Sequence, residues 1–83
     1  MRIEFLFTFG SKPQERVEYP FVNPILKDKQ TLFDFATGQL YPDEKADLVK
    51  ISSCVLVEDG DVEEVQWFLD SGGKLYVENG KLI

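Results

Sequence analysis

Glu58-Asp59-Gly60-Asp61-Val62-Glu63-Glu64-Val65-Gln66-Trp67-Phe68-Leu69-Asp70-Ser71-Gly72-Gly73 is the stretch on which the fold turns. It reads as an acidic loop feeding one main helix over about 61–71. Asp61 and Glu64 have the spacing of a capping box, with Asp in place of the usual Ser or Thr. Glu63 and Glu64 favour the positive end of the helix dipole, Gly72 supplies a left-handed stop, and Gly73 frees the exit. At about 100° per residue, Val62, Val65 and Leu69 fall on one side, with Phe68 at the flank. Trp67 lies across from that stripe, beside Glu63, Glu64, Asp70 and Ser71.

The segments on either side read as strands. Residues 2–9 alternate, with Ile3, Phe5, Phe7 and Phe9 on one face. Residues 15–22 alternate again after the turn-forming Gly10-Ser11-Lys12-Pro13-Gln14, so the two runs predict an antiparallel hairpin. Pro20 lacks a backbone N–H and places the second strand at a sheet edge, or ends it there. Residues 31–35 and 39–41 flank Ala36-Thr37-Gly38 as a short hairpin, with Gly38 available for a positive φ. Pro42-Asp43-Glu44 opens like a helix of a turn or two. Residues 49–58 form the best buried strand, with Val49, Ile51, Ser53, Val55 and Val57 sharing a face. Residues 74–78 and 81–83 flank Asn79-Gly80, the strongest short hairpin signal in the chain. The expected class is α+β: a mostly antiparallel sheet of hairpins in a single compact domain over 1–83, with the 61–71 helix on one face.

Composition narrows the function. The chain has 83 residues, 43% of them hydrophobic and 29% charged, which suits a modest single core. Seven Phe, three Tyr and one Trp supply most of its burial area. The lone Cys54 excludes an internal disulfide framework and fits a reducing cytoplasm. No apolar run approaches the roughly 20 residues of a membrane span, and Met1-Arg2-Ile3-Glu4-Phe5 is no signal peptide.

There is no histidine, which removes the commonest general base and the Ser-His and Cys-His nucleophile pairs. Cys54 has no basic neighbour in sequence and reads as a small buried hydrophobe. The acidic run 58–64 lacks the order of residues a calcium loop needs. No Gly-rich phosphate loop is present, and no cofactor is expected.

The net charge of −6 sits in the second half. Residues 42–83 carry ten Asp and Glu against four Lys, whereas residues 1–41 balance five against five. The nine cations are scattered, so direct nucleic-acid or anionic-membrane binding is not expected. An acidic surface attracts basic protein surfaces instead. The residues therefore predict a small non-enzymatic protein-binding module. It would mask a basic, nucleic-acid-binding surface of a larger protein as an inhibitor or nucleic-acid mimic does, and a phage or other mobile element would be a natural source. The expected docking residues are Trp67, Glu63, Glu64, Asp70, Asp59 and Asp61, with Trp67 the aromatic anchor. Packing of Trp67 on a loop such as 23–30 is the structural alternative. A second functional class is a self-assembling scaffold that forms homo-oligomers through strand edges and exposed aromatics.

Overall fold

The computed structural model describes residues 2–20, 28–58, 60–64 and 72–83. Among these residues, six strands and two helices follow one another as β1 (Arg2–Phe9), β2 (Glu15–Pro20), α1 (Lys29–Thr37), α2 (Pro42–Asp47), β3 (Leu48–Glu58), β4 (Asp61–Glu64), β5 (Leu75–Glu78) and β6 (Lys81–Leu82). All strand pairs are antiparallel. The sheet runs β2-β1-β3-β5-β6, and β4 lies alongside the far half of β3. The architecture is roughly α+β, with one sizeable helix among the described residues.

The β1–β2 hairpin forms as its alternation predicts. Ile3, Phe5, Phe7 and Phe9 are buried, while Glu4, Leu6 and Thr8 on the other face are partly exposed. β2 is an edge strand ending at Pro20, where a missing N–H costs the ladder nothing. Its last expected residues, 21–22, lie outside the described residues.

β3 breaks the simple alternation. Leu6 pairs with Ser53 but Phe7 pairs with Ile51, so Ser52 is an extra residue; Thr8 pairs with Lys50 but Phe9 with Leu48, so Val49 is another. Each bulge flips the facing of the residues beyond it. Ile51, Cys54 and Leu48 therefore turn inward, and Val49 is 43% exposed. The predicted face of Val49, Ile51, Ser53, Val55 and Val57 is corrected accordingly: Cys54 replaces Ser53 and Val55 in the core. Ser52 turns its hydroxyl to the Leu6 carbonyl at 3.4 Å.

The expected 31–35 and 39–41 hairpin is a helix instead. Asp28 caps α1, its Oδ1 accepting the Thr31 N–H at 2.8 Å. Leu32, Phe33 and Ala36 then recur at helical spacing and bury against the Phe-rich face of the sheet. Thr31, Phe33 and Phe35 suit a strand by propensity, but this face of the sheet needs a cover and the helical stripe supplies it. Gly38 takes a right-handed φ of −63° and uses none of its freedom. Residues 39–41 form no strand.

The helix expected over 61–71 is also corrected. Residues 61–64 are β4, paired with β3 through Glu58↔Asp61, Val57↔Val62, Leu56↔Glu63 and Val55↔Glu64; residues 65–71 lie outside the described residues. Gly60, between the two strands, has φ 90°. Asp-Gly is itself a hairpin dipeptide by sequence, and the pairing of β4 with β3 prevails over the capping-box spacing of Asp61 and Glu64. At the C-terminal hairpin, Asn79 and Gly80 both have positive φ, 53° and 78°, as a type I′ turn requires.

The core is aromatic. Phe5 stacks on Phe7 at 5.9 Å between ring centroids, and Tyr19 meets Phe35 edge-on at 5.9 Å. The Tyr19 hydroxyl donates to the Ala36 carbonyl at 2.8 Å, so its one polar atom is satisfied inside the core and ties the edge strand to α1.

Candidate functional site

The expected docking residues fall in three groups. Asp61 is exposed at the start of β4, directly opposite Glu58 in register. Glu63 and Glu64 lie on the β4 backbone, so the 100° rotation that groups them with a helical Trp67 does not apply here. Asp59, Trp67 and Asp70 lie outside the described residues. The structure thus brings Asp61, Glu63 and Glu64 onto one short strand at the far end of β3.

A second acidic surface, absent from the sequence reading, forms at the other end of the sheet. Ser11, Lys12, Asp43, Glu44 and Asp47 line an open hollow of about 370 Å³. α2 enters it through Pro42 at the first helical position, with Asp43 and Glu44 in the first turn, where the helix dipole favours them. Glu44 Oε1 accepts the Tyr41 N–H at 3.2 Å and Oε2 takes the Lys12 ammonium at 3.2 Å. Those two donors, the backbone N–H first, hold its carboxyl below the ordinary range. Lys12 is raised in turn, chiefly by its bond to Glu44; it also reaches Glu15 at 3.6 Å and sits 4.3 Å from the centre of the Phe9 ring. Ser11 Oγ donates to Asp47 Oδ2 at 2.6 Å, and Gly10 N–H donates to the Asp47 carbonyl at 2.8 Å. Most of this hollow is therefore engaged in holding α2 to the β1–β2 turn. Asp43 is the exception, with no ion-pair partner among the described residues.

On the opposite flank of α2 lies a groove of about 450 Å³ between Gln30, Phe33 and Asp34 of α1, Lys45, and Gly80 and Lys81 of the β5–β6 turn. The Lys45 ammonium stands 5.4 Å from the centre of the Phe33 ring. Neither Lys45 nor Lys81 has an ion-pair partner among the described residues. A signal for both flanks is present in the sequence: Asp43 and Asp47 are four apart and Lys45 falls between them, on the other side of a helix.

The sheet face away from α1 carries a like-charge pair. Glu4 and Glu18 are directly opposite across β1 and β2. Glu4 is raised above its ordinary range, first by its hydrogen bond to the Glu18 carboxyl, then by desolvation and repulsion; Arg16 at 3.7 Å and Arg2, itself 3.6 Å from Glu18, pull the other way.

Cys54 is buried, and loss of hydration pushes its thiol up to about 12. It carries no thiolate at neutral pH and offers no nucleophile. Among the described residues, no three His, Cys, Asp or Glu side chains gather as a metal ion would need, and no helix is long and apolar enough to cross a membrane. Comparison with models of protein families, with characterised proteins and with solved structures finds no match.

Proposed function

We propose that this chain is a small acidic, non-enzymatic binding protein that docks on a basic surface of a larger protein and masks it from nucleic acid. The observation that carries the reading is the charge imbalance, ten Asp and Glu against four Lys in residues 42–83, with seven of those acids within 58–78. A basic partner surface would be drawn to that segment by long-range attraction. The chemical inventory is consistent with this: no histidine and a cysteine held as a neutral thiol leave no ordinary nucleophile–base pair.

The docking face we assign is the acidic segment 58–70, entered at Asp61. The chain, used as bait in a cell extract and eluted with rising salt, should release basic proteins as the Debye length falls to roughly 8 Å near 0.15 M and below. Asp61→Lys combined with Glu63→Lys should slow association with the captured protein several-fold while leaving dissociation little changed. Capture of neutral or acidic proteins only, or indifference of binding to charge reversal, would overturn the reading.

A further inference from the structure

α2 divides two hollows of opposite net charge, one lined by Asp43, Glu44 and Asp47 with Lys12, the other by Lys45 and Lys81 with Asp34. By the 100° step of a helix, Pro42 and Ala46 lie along its crest, Asp43 and Asp47 on one flank, and Lys45 on the other; Pro42, Asp43 and Ala46 are exposed. Lys81 of the β5–β6 turn reinforces the cationic flank. Just ahead of the crest is Tyr41, 73% exposed and the most exposed aromatic among the described residues. An uncharged crest, an aromatic at its head, acid on one side and ammonium on the other make a surface that complements itself.

We propose that α2 is the contact between two copies of this chain, related by a twofold axis running along the helix. The geometry selects that axis. Rotation about the helix direction sets the two α2 segments side by side, pointing the same way, and exchanges their flanks. Lys45 and Lys81 of one copy then face Asp43 and Asp47 of its partner, and the reverse contact is made at the same time, as a closed isologous interface requires. A twofold axis across the helix would set acid against acid and lysine against lysine. Pro42 and Ala46 let the helices approach closely, and the Tyr41 rings supply the aromatic anchor near the axis. Among the described residues, Asp43, Lys45 and Lys81 have no ion-pair partner that the contact would have to break.

This contact does not rest on the proposed docking to a basic protein. β4 borders the opposite end of β3, an eleven-residue strand and so about 30 Å long. Reversal at Asp61 tests that docking and leaves α2 untouched. The interface is small, so the dimer should be weak and is best sought at protein concentrations up to about 1 mM.

The test is a charge exchange followed by sedimentation equilibrium at low salt. The wild-type chain should dimerise with a concentration-dependent mass. Lys45→Glu alone places Glu against Asp43, and Asp43→Lys alone places Lys against Lys45; each should weaken the dimer by about tenfold. Mixing the two variants restores both pairings and should recover a heterodimer. A thermal melt of each variant separates loss of contact from loss of fold. In a second arm, Ala46→Cys should give an inter-copy disulfide under mild oxidation faster than Lys74→Cys, because the twofold axis sets the introduced thiol against its own counterpart in the partner. Cys54 does not compete, being buried. A wild-type chain that stays monomeric throughout, a dimer indifferent to either single reversal, or a mixture that fails to associate would each overturn the proposal. So would equal cross-linking at positions 46 and 74.

Discussion

Individual side chains tie separate elements of this molecule together. The Tyr19 hydroxyl joins the edge strand to α1 through a buried 2.8 Å bond to the Ala36 carbonyl. Tyr19→Phe should lower stability by roughly 1–2 kcal/mol, because the carbonyl is left without its donor; a denaturant titration measures it. Phe7 is fully buried and packed between Phe5 and Phe9. Phe7→Ala should cost about 3–5 kcal/mol, enough to unfold much of so small a protein at room temperature. A melt within a few degrees of wild type would contradict that placement. Glu44 and Glu4 depart from the ordinary carboxyl value of 4.5 in opposite directions. The lowered Glu44 contributes stability that is present above 4.5 and is lost as pH falls through its folded value. Glu44→Gln should therefore lower the melting temperature at pH 7, with the difference vanishing in acid. The raised Glu4 contributes below 4.5 and loses that contribution as pH rises through its folded value, so Glu4→Gln should leave the neutral-pH melt unchanged or higher. Paired melts across pH 3–8 check both signs.

At the scale of elements, legibility depends on how many independent signals agree. β1, β2, β5 and β6 combine alternation with turn residues, and strands form within all four of those segments, β2 over Glu15–Pro20, β5 over Leu75–Glu78 and β6 over Lys81–Leu82. Asn79-Gly80 needs positive φ at both positions, so Gly80→Val should disrupt the C-terminal hairpin and lower the melting temperature. α1 is hidden because Thr31, Phe33 and Phe35 alternate as a strand would, while its helical evidence is one Asp cap and a stripe that only a neighbouring sheet makes meaningful. Asp28→Ala should cost about 1 kcal/mol if the cap holds α1 as observed; a melting curve decides it. β4 is hidden by a competition between two local motifs, Asp59-Gly60 as a turn and Asp61 with Glu64 as a cap, which no single segment can resolve. The candidate site suffers with it, since only helical spacing joins Glu63 and Glu64 to Trp67. The bulges in β3 are illegible for a different reason: an extra residue in a ladder is set by the partner strand. They have a sharp consequence for substitution. Ile51→Thr should destabilise by about 2 kcal/mol or more, while Val49→Thr should be tolerated within about 0.5 kcal/mol, although strict alternation gives the two residues one face. Chemical denaturation of the pair distinguishes bulged from unbulged pairing.

At the scale of the molecule, charge and topology act together. The second half carries the excess acid, yet α2 within it bears a cationic flank. Any association through 58–70 or through α2 should therefore weaken with salt, while the fold itself, built on a Phe-rich core, should not. Melts at about 0.05 and 0.5 M salt, compared with binding at the same concentrations, separate the two. The order of strands has a further effect that concerns synthesis. β1 pairs on one side with β2, its immediate neighbour in sequence, and on the other with β3, where Arg2 meets Val57. A ribosome making this chain releases the first hairpin early, with one edge of β1 and its four buried aromatic and aliphatic side chains open to water. That edge stays bare until residues 48–58 emerge, a few seconds later at about 5–20 residues per second. Nascent chains are thus exposed to edge-to-edge pairing for an interval fixed by the distance between β1 and β3. Slow codons after residue 60, read while the exit tunnel has released the first hairpin but still covers residues 48–58, should lower the soluble fraction in a cell-free synthesis; slow codons across residues 21–47, read while the hairpin is itself inside the tunnel, should leave it unchanged.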